Sequence, residues 1–364
     1  MPLPFENAQL RHTGIPVLTG RYRNGEMQSR LGDGELTILA NGQPPVKVLI
    51  QTSNNHTSAR CKPLSIASTA ISEIVLGACD ALFAQNTLLE QLLIETEQTL
   101  ALEHLLDDGV LGKDADGTLL CDAEQFWQYA PLWLTRKAHG AYPAKRCMSD
   151  GVRHPLRPAK PQGAAYRRFI PWLSQTLTFD VIDPDRDLAI FNRWMNSPRV
   201  AHFWEEQGDL EQHQAYLYQQ LADPHTLPVV GRFDSKPFGY FEIYWAKEDR
   251  IAPFYDADDY DRGLHLLVGE EAFRGKAFYT AWFSSICHYL FLDDPRTQRI
   301  VCEPRHDNHR QIANFDRSGF AKIKHFDFPH KRALLVMLTR ERFFAERLYQ
   351  PLDSIKPSQE GITV

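Results

Sequence analysis

Prolines divide this chain of 364 residues into two parts. Five of them lie between residues 143 and 171, and between 143 and 168 seven Lys and Arg residues face a single acid, Asp150. Proline fixes φ and removes a hydrogen-bond donor, so we expect no helix to continue through this segment. The segment predicts a linker, with one domain at residues 1–162, a second domain at 163–350 and a flexible tail at 351–364.

The composition is typical of soluble globular domains, because 43% hydrophobic residues suffice for a buried core. A net charge of −6 argues against a general nucleic-acid binder, which usually carries a basic face. No apolar window approaches the ~20 residues of a membrane-spanning helix, and the first residues do not form a secretory signal. The six cysteines lie far apart, without a CxxC pair. We therefore expect a cytoplasmic protein that has no disulfides and no structural zinc site. We also expect it to bind neither nucleic acid nor membranes.

The N-terminal part combines a hairpin with helices. Alternating apolar residues at 35–39 and 46–50 flank Asn41-Gly42, which is typical of a β-hairpin turn. Apolar residues then recur at helical spacing from about Ser65, and a Leu- and Glu-rich stretch at 86–106 predicts a further helix. These patterns predict an α/β domain, and it contains no catalytic constellation.

The C-terminal part alternates helices and strands. Asp183-Pro184 is an N-cap followed by proline, which begins a helix. Further helices are predicted at 210–221, 275–291 and 308–318, and strands at 228–233, 238–245, 263–269, 299–303, 322–328 and 333–339. This order predicts the α+β class, with a mixed sheet flanked by helices.

The turn Arg274-Gly275-Lys276-Ala277 connects an apolar strand to an amphipathic helix. Backbone N–H groups at a helix N-terminus bind phosphates, and Gly275 lets a phosphate approach the main chain closely. Arg274 and Lys276 add positive charge. The turn predicts a phosphate site; a basic turn with a glycine hinge is the alternative.

Strand, turn, helix, strand and a helix that begins at an asparagine resemble the GCN5-related N-acetyltransferase (GNAT) fold, in which this turn binds the pyrophosphate of coenzyme A. Gly275 and Ala277 match the family pattern, whose first position is Ala272 here. The closer resemblance is to the siderophore-biosynthesis acyltransferases of the aerobactin-pathway N6-hydroxylysine acetyltransferase family. It covers about residues 163–345 and is carried by RWMNSPRVAHFWE (193–205), FGYFEIYWAKED (238–249), YDRGLHLLVG (260–269), EPRHDNHR (303–310) and GF…DFPHKRA (319–333). The N-terminal part resembles the corresponding region of that family, which implies a degenerate GNAT-like or hairpin-plus-helix domain.

The resemblance implies transfer of an acetyl group from acetyl-CoA to the hydroxylamine nitrogen of N6-hydroxylysine, giving a hydroxamate for a siderophore. His265 and Asp307 are the implied catalytic pair. Histidine titrates near neutrality and can accept a proton, whereas Asp307 can cap a helix or orient the base. The backbone at Leu266 and Val268 and the turn at 274–277 are the implied coenzyme A site, where a backbone N–H polarises the thioester carbonyl.

The acceptor pocket is predicted from aromatic and charged residues near the presumed cleft. Its candidates are Trp204, Tyr244, Trp245, Glu242 and Glu303, with Arg305 and Lys331 as partners of an α-carboxylate. Core aromatics and solvated charges are the alternative interpretation. His325, Asp327 and His330 do not predict a metal site, and acyl transfer needs no metal.

Two further hypotheses stay open. One is succinyl or acetyl transfer to an N-hydroxy diamine such as N-hydroxycadaverine or N-hydroxyputrescine, with succinyl-CoA as a donor. The other is a non-catalytic coenzyme A-binding scaffold. A hydroxylase and a siderophore synthetase of the same pathway are the expected protein partners.

Overall fold

The computed structural model of this chain describes residues 17–22, 25–32, 34–40, 45–53, 57–64, 71–135 and 145–351. The chain forms two compact units, Met1–Trp133 with Arg168–Gln175, and Leu134–Arg167 with Thr176–Val364. The predicted domain boundary at 162/163 lies inside the second unit. Among the described residues, no helix combines the length and the apolar character that crossing a membrane requires.

The first unit is built on an eight-stranded sheet in the order β1-β2-β3-β4-β5-β6-β8-β7. All neighbours are antiparallel except β5 and β6, which are parallel. Its elements are β1 (Val17–Tyr22), β2 (Gly25–Gly32), β3 (Glu35–Ala40), β4 (Val46–Thr52), β5 (Ser58–Leu64), α1 (Ile71–Gln85), β6 (Gln91–Ile94), α2 (Glu103–Asp107), β7 (Gly112–Lys113), β8 (Leu119–Asp122) and α3 (Ala123–Trp127).

The predicted strands at 35–39 and 46–50 are confirmed as β3 and β4, and the apolar face of the predicted helix is buried on α1. The predicted turn at Asn41-Gly42 and the helix start near Ser65 lie outside the described residues. The helix predicted at 86–106 is wrong, because this stretch forms β6, a 3-10 turn at Thr99–Leu102 and the short α2. Since β6 lies between β5 and β8, tertiary pairing overrides the helix propensity of its leucines.

The second sheet has the order β11-β12-β13-β14-β15-β16-β18-β17. From β12 onward its pairs are antiparallel except β15 and β16, which are parallel. The remaining elements are β9 (Arg146–Ser149), β10 (Val152–Pro155), β11 (Ala164–Ile170), β12 (Gln175–Val181), α4 (Pro184–Met195), α5 (Pro198–Trp204), α6 (Leu210–Ala222), β13 (Thr226–Phe233), β14 (Lys236–Trp245), β15 (Arg262–Val268), α7 (Lys276–Asp293), β16 (Arg299–Cys302), α8 (His309–Arg317), β17 (Ala321–Asp327), β18 (Arg332–Thr339) and α9 (Arg340–Ala345).

The predicted α+β architecture, a mixed sheet flanked by helices, is confirmed. Asp183 caps α4 by accepting a hydrogen bond from the Asp185 N–H, as its sequence position predicts. The proline-rich segment contains the hairpin β9–β10, whose turn residues Asp150 and Gly151 both have positive φ, 47° and 81°. Such a turn matches the twist of a hairpin, so part of this segment is regular structure.

The two sheets share one strand order. In each, a parallel pair is joined through a helix, α1 or α7, and two further strands complete the sheet. The parallel pairs differ in length: β5 and β6 pair at four positions, whereas β15 and β16 pair only at Arg262↔Ile300 and Gly263↔Val301. In the second sheet, five residues of β15 therefore extend beyond the last residue that pairs with β16.

Two apolar clusters on one face of the second sheet leave a polar strip between them. One contains Trp194, Tyr240 and Leu267, and the other contains Tyr244 and Leu335. Residues 240, 242 and 244 share a face of β14 because side chains alternate along a strand. The polar strip lies at residue 242, between the two clusters.

Candidate active site

His265 lies in this polar strip and is held by two carboxylates. Its Nδ1 is 3.2 Å from Glu242 Oε2, directly across from it on β14. Its Nε2 is 2.9 Å from Glu303 Oε1, one residue past the end of β16. Both ring nitrogens of His265 are thus within hydrogen-bonding distance of a carboxyl oxygen, just beyond the residues at which β15 and β16 pair.

The two carboxylates decide the charge of His265. Burial alone would lower the pKa of the imidazole, but Glu303 and Glu242 raise it to about 10. For Glu303, burial opposes ionisation, yet His265 and the neighbouring cations lower the pKa of its carboxyl to about 2. At neutral pH His265 is therefore an imidazolium and Glu303 a carboxylate. Together with Glu242 they form what we call the Glu242–His265–Glu303 unit.

Three phenols fix the carboxylates of this unit. Tyr216 and Tyr240 donate to Glu242 Oε1, the latter over 3.1 Å, and Tyr244 donates to Glu303 Oε2 over 2.9 Å. Burial, followed by the adjacent carboxylates, raises the pKa of each phenol. The phenols therefore stay protonated and act as hydrogen-bond donors to the two carboxyl groups.

Two cations lie at the Glu303 end of the unit. Lys331 Nζ is 3.1 Å from the Glu303 carbonyl oxygen and 3.7 Å from its Oε1. Arg250 Nη2 is 3.8 Å from the same Oε1 and 3.5 Å from His265 Nε2. Lys331 was among the predicted acceptor residues. Arg250 was not, because it lies on the loop after β14 and no motif marks it.

Of the predicted aromatic residues, Trp204 and Tyr244 lie near His265, with ring centroids 6.5 and 4.8 Å from the imidazole. Trp245 does not. It lies on the opposite side of β14, where its ring packs between the guanidinium groups of Arg157, at 4.2 Å, and Arg262, at 4.0 Å. Strand alternation accounts for the difference, since adjacent residues cannot share a face. Trp245 is thus not an acceptor residue.

Asp307 is 47% exposed and paired with Arg305 through two hydrogen bonds of 3.1 and 2.7 Å. This pairing lowers the pKa of the Asp307 carboxyl. Asn308, not Asp307, caps α8 by accepting from the Gln311 N–H. No contact among the described residues joins Asp307 to His265, so a catalytic role for Asp307 stays a prediction. Arg305 donates from Nε and Nη2 to the two oxygens of Asp307, so these donors are already engaged and do not face a substrate carboxylate.

The turn before α7 has the geometry that phosphate binding needs. Gly275 has φ 105° and ψ 169°, a conformation that only glycine adopts readily, and it directly precedes the 18-residue helix α7. Arg199 donates to the carbonyl oxygens of Val268, over 2.7 Å, and Gly269, over 3.1 Å. Burial and then the charge of Arg274 lower the pKa of Arg199, whereas the carboxylate of Glu271 opposes this shift. Arg199 and Arg274 thus bring two positive charges close to the turn.

Beyond Gly263, the side of β15 that faces β16 has no described strand paired with it. The Gly269 N–H donates to the Phe238 carbonyl, and hydrogen-bonded pairs alternate along an antiparallel ladder. Leu264, Leu266 and Val268 therefore turn their peptide groups away from β14, toward the side of β16. Because β16 pairs only with the first two residues of β15, the Leu266 N–H points into the space between the two diverging strands.

The sequence matches known acyltransferases. A family model described as an acetyltransferase (GNAT) domain matches residues 183–328. N(6)-hydroxylysine O-acetyltransferase of Escherichia coli is 47% identical over 224 residues, which cover 61% of this chain and 70% of the relative. The chain belongs to this GNAT acyltransferase family. A hydroxyornithine transacylase of Ajellomyces capsulatus is 40% identical over 247 residues, covering 60% of this chain and 56% of the relative.

Among solved structures, the GNAT acyltransferase resembles an aminoglycoside acetyltransferase crystallised with coenzyme A. That protein is 25% identical and aligns with a TM-score of 0.43, covering 47% of this chain and 99% of the other. The predicted family, GNAT fold and acyltransferase activity are confirmed. An acyl-CoA co-substrate fits the residues present: the open β15 edge offers N–H groups to a thioester, and the glycine turn with Arg199 and Arg274 suits phosphates.

One group of three side chains among the described residues is close enough to hold a metal ion, His154, His225 and Glu248. Its hydrogen bonds argue otherwise. Arg157 donates to both oxygens of Glu248, over 2.5 and 2.6 Å, and His154 Nδ1 is 2.8 Å from the Pro155 carbonyl. A guanidinium on both carboxylate oxygens repels a bound cation, so this group is a buried ion-pair network of the GNAT acyltransferase.

Proposed function

We propose that this GNAT acyltransferase transfers an acetyl group from acetyl-CoA to the hydroxylamine nitrogen of N6-hydroxylysine, giving a hydroxamate for a siderophore. The observation that carries the proposal is the hydrogen-bonded Glu242–His265–Glu303 unit beside the part of β15 that does not pair with β16. The 47% identity to an N(6)-hydroxylysine O-acetyltransferase supports the acceptor class. The reaction needs no metal.

The chemistry is direct attack on the thioester. A hydroxylamine nitrogen is less basic than an alkylamine, so at pH 7 it is largely unprotonated and nucleophilic. The C–N bond forms, the C–S bond breaks, the nitrogen loses one proton and the sulfur gains one. Positioning of the two substrates supplies a large part of the rate, because it makes the attack effectively intramolecular.

The Glu242–His265–Glu303 unit moves that proton in our proposal. His265 begins as an imidazolium, so it donates from Nε2 to the departing sulfur once its contact with Glu303 opens. The substrate nitrogen then loses its proton to the neutral imidazole, with Glu303 or Glu242 relaying it, and His265 becomes an imidazolium again. His265 thus acts as an acid first and as a base second, whereas the sequence predicted the base role alone.

The open edge of β15 binds the thioester in our proposal. The Leu266 N–H polarises the carbonyl oxygen, on which negative charge develops during attack. The turn at Gly275, Lys276 and Ala277 with Arg199 and Arg274 binds the phosphates of coenzyme A. Trp204 forms part of the wall of the acceptor pocket, within 6.5 Å of the imidazole.

A hydroxylase has to supply the N-hydroxylated amine, and an amide- or ester-forming synthetase consumes the hydroxamate. We propose these two enzyme classes as pathway partners, and the cytoplasm as the common location.

The test is release of free thiol by the purified protein from acetyl-CoA, with N6-hydroxylysine and lysine as matched acceptors. We expect turnover with N6-hydroxylysine and at least tenfold less with lysine, whose ε-amine is protonated at pH 7. Thiol release at equal rates with both acceptors would contradict the assignment, and no release with either would favour a non-catalytic scaffold.

A further inference from the structure

The guanidinium of Arg250 lies beside His265, and no hydrogen-bond acceptor among the described residues is paired with it. The nearest carboxylate oxygen, Glu303 Oε1, is 3.8 Å away, beyond hydrogen-bonding distance. Its 3.5 Å neighbour, His265 Nε2, is itself a donor in the imidazolium form. No other hydrogen bond or ion pair links the Arg250 side chain to the described residues. The side chain is 51% exposed and lies over the ring of Phe328, 5.7 Å from its centroid.

Glu303 cannot serve as the permanent partner of Arg250. Its side chain is 2% exposed, and its two oxygens already accept His265 Nε2 and the Tyr244 hydroxyl. Lys331 occupies the third approach to this carboxylate. The nearby carboxylate of Asp249 is half-buried and accepts from the Ile251 N–H. The planar fork of Arg250 therefore has unused donors at the edge of the active site.

We infer that Arg250 binds a carboxylate of the substrate, and this inference rests on the proposed function. A guanidinium fork matches a carboxylate with two parallel hydrogen bonds, and Lys331 beside it adds a second positive charge. Two sources can bring that group to the cleft. One is the α-carboxylate of an N-hydroxy amino acid acceptor, and the other is the terminal carboxylate of a dicarboxylic acyl group such as succinyl. An N-hydroxy diamine with an acetyl donor carries neither.

The test crosses two acceptors with two donors. N6-hydroxylysine and N-hydroxycadaverine differ by the α-carboxylate, and succinyl-CoA and acetyl-CoA differ by the terminal one. The four pairs are measured with the wild type, Arg250→Gln, Arg250→Lys and the control Arg332→Gln. Arg332 is an exposed arginine on β18 whose nearest acid is Asp327, at 3.9 Å.

We expect Arg250→Gln to lower kcat/KM about 10- to 100-fold, through KM, for the pairs whose carboxylate it binds, as for a charged hydrogen bond. The acetyl-CoA and N-hydroxycadaverine pair should change less than about twofold. Arg250→Lys should restore part of the loss, and Arg332→Gln should match the wild type. A loss that follows N6-hydroxylysine identifies the acceptor as the source, and one that follows succinyl-CoA identifies the acyl group.

An equal loss on all pairs, or no loss on any, overturns the carboxylate role of Arg250 while leaving the proposed function standing. A wild type that prefers the pair without a carboxylate overturns it too. A wild type that releases no thiol from any pair contradicts the proposed function, and the Arg250 assignment with it.

Discussion

The charge state of His265 follows from its neighbours more than from its own type. A free imidazole is mostly neutral at pH 7, whereas this one has a carboxylate on each nitrogen and a pKa of about 10. An imidazolium can donate at once but cannot accept a proton until it has given one away. The pH dependence of the reaction should reflect this order.

We predict that kcat/KM of the wild type is level from pH 7 to 9 and falls as the pH rises through about 10, where His265 loses its proton. Glu303→Gln should move this fall to lower pH, because Glu303 contributes the largest charge effect that raises the pKa of His265. Glu242→Gln should move it in the same direction. A wild-type rate that instead keeps rising above pH 9 would show that neutral imidazole is the active form.

Removal of His265 should cost more than removal of Asp307. We expect His265→Ala to lower kcat/KM by about 10²- to 10⁴-fold, the range for general acid–base groups. Asp307→Asn should cost less than about tenfold, because the described contact of this exposed side chain is with Arg305. The control is Asp327→Asn, because Asp327 is also an exposed aspartate whose neighbour is an arginine, Arg332. Equal losses for His265 and Asp307 would restore Asp307 to the catalytic unit.

At the scale of elements, the site depends on where β16 departs from β15. The strands themselves could be predicted, because short apolar runs mark β13 to β18 to within a few residues. Their register could not, since the pairing of Glu242 with His265 spans a loop from 246 to 261 that no local rule determines. His265 came from a family resemblance, and Arg250 on that loop carries no pattern. The short helices α5 and α9 lack a periodic signal of useful length.

The turn before α7 gives a prediction on cofactor binding. Gly275→Ala forces a side chain into a backbone conformation that costs on the order of 1–3 kcal/mol. We expect KM for acetyl-CoA to rise at least fivefold, with KM for the acceptor unchanged. Gly117→Ala is the matched control, because Gly117 also has positive φ and open space around it but lies in the first unit. Equal changes in KM for the two substrates would argue against a coenzyme A turn.

At the scale of the whole molecule, two sheets of one topology carry different chemistry. The fourth residue of β15 is His265, and the fourth residue of β5 is Cys61, a buried thiol. Burial and the neighbouring Cys121 raise the pKa of Cys61 to about 12. An un-ionised thiol is a poor nucleophile. Among the described residues of the first sheet, this position has no counterpart of the Glu242–His265–Glu303 unit.

The cysteines give a prediction for the whole chain. Five of the six are buried, and Cys147 is half-buried. We expect a thiol-reactive disulfide reagent to modify one residue, Cys147, in the native protein and all six after unfolding, as measured by mass spectrometry. Cys147→Ser should abolish the native reaction. Rapid modification of Cys61 or Cys121 in the native protein would contradict the packing of the first sheet.

The most direct test of the central claim compares two products of one reaction. Wild-type protein with acetyl-CoA and N6-hydroxylysine should release free thiol and form a ferric-hydroxamate-positive product in a one-to-one ratio, because the acyl group goes to nitrogen. Thiol release without hydroxamate would indicate acylation of oxygen or hydrolysis, and it would contradict transfer to the hydroxylamine nitrogen.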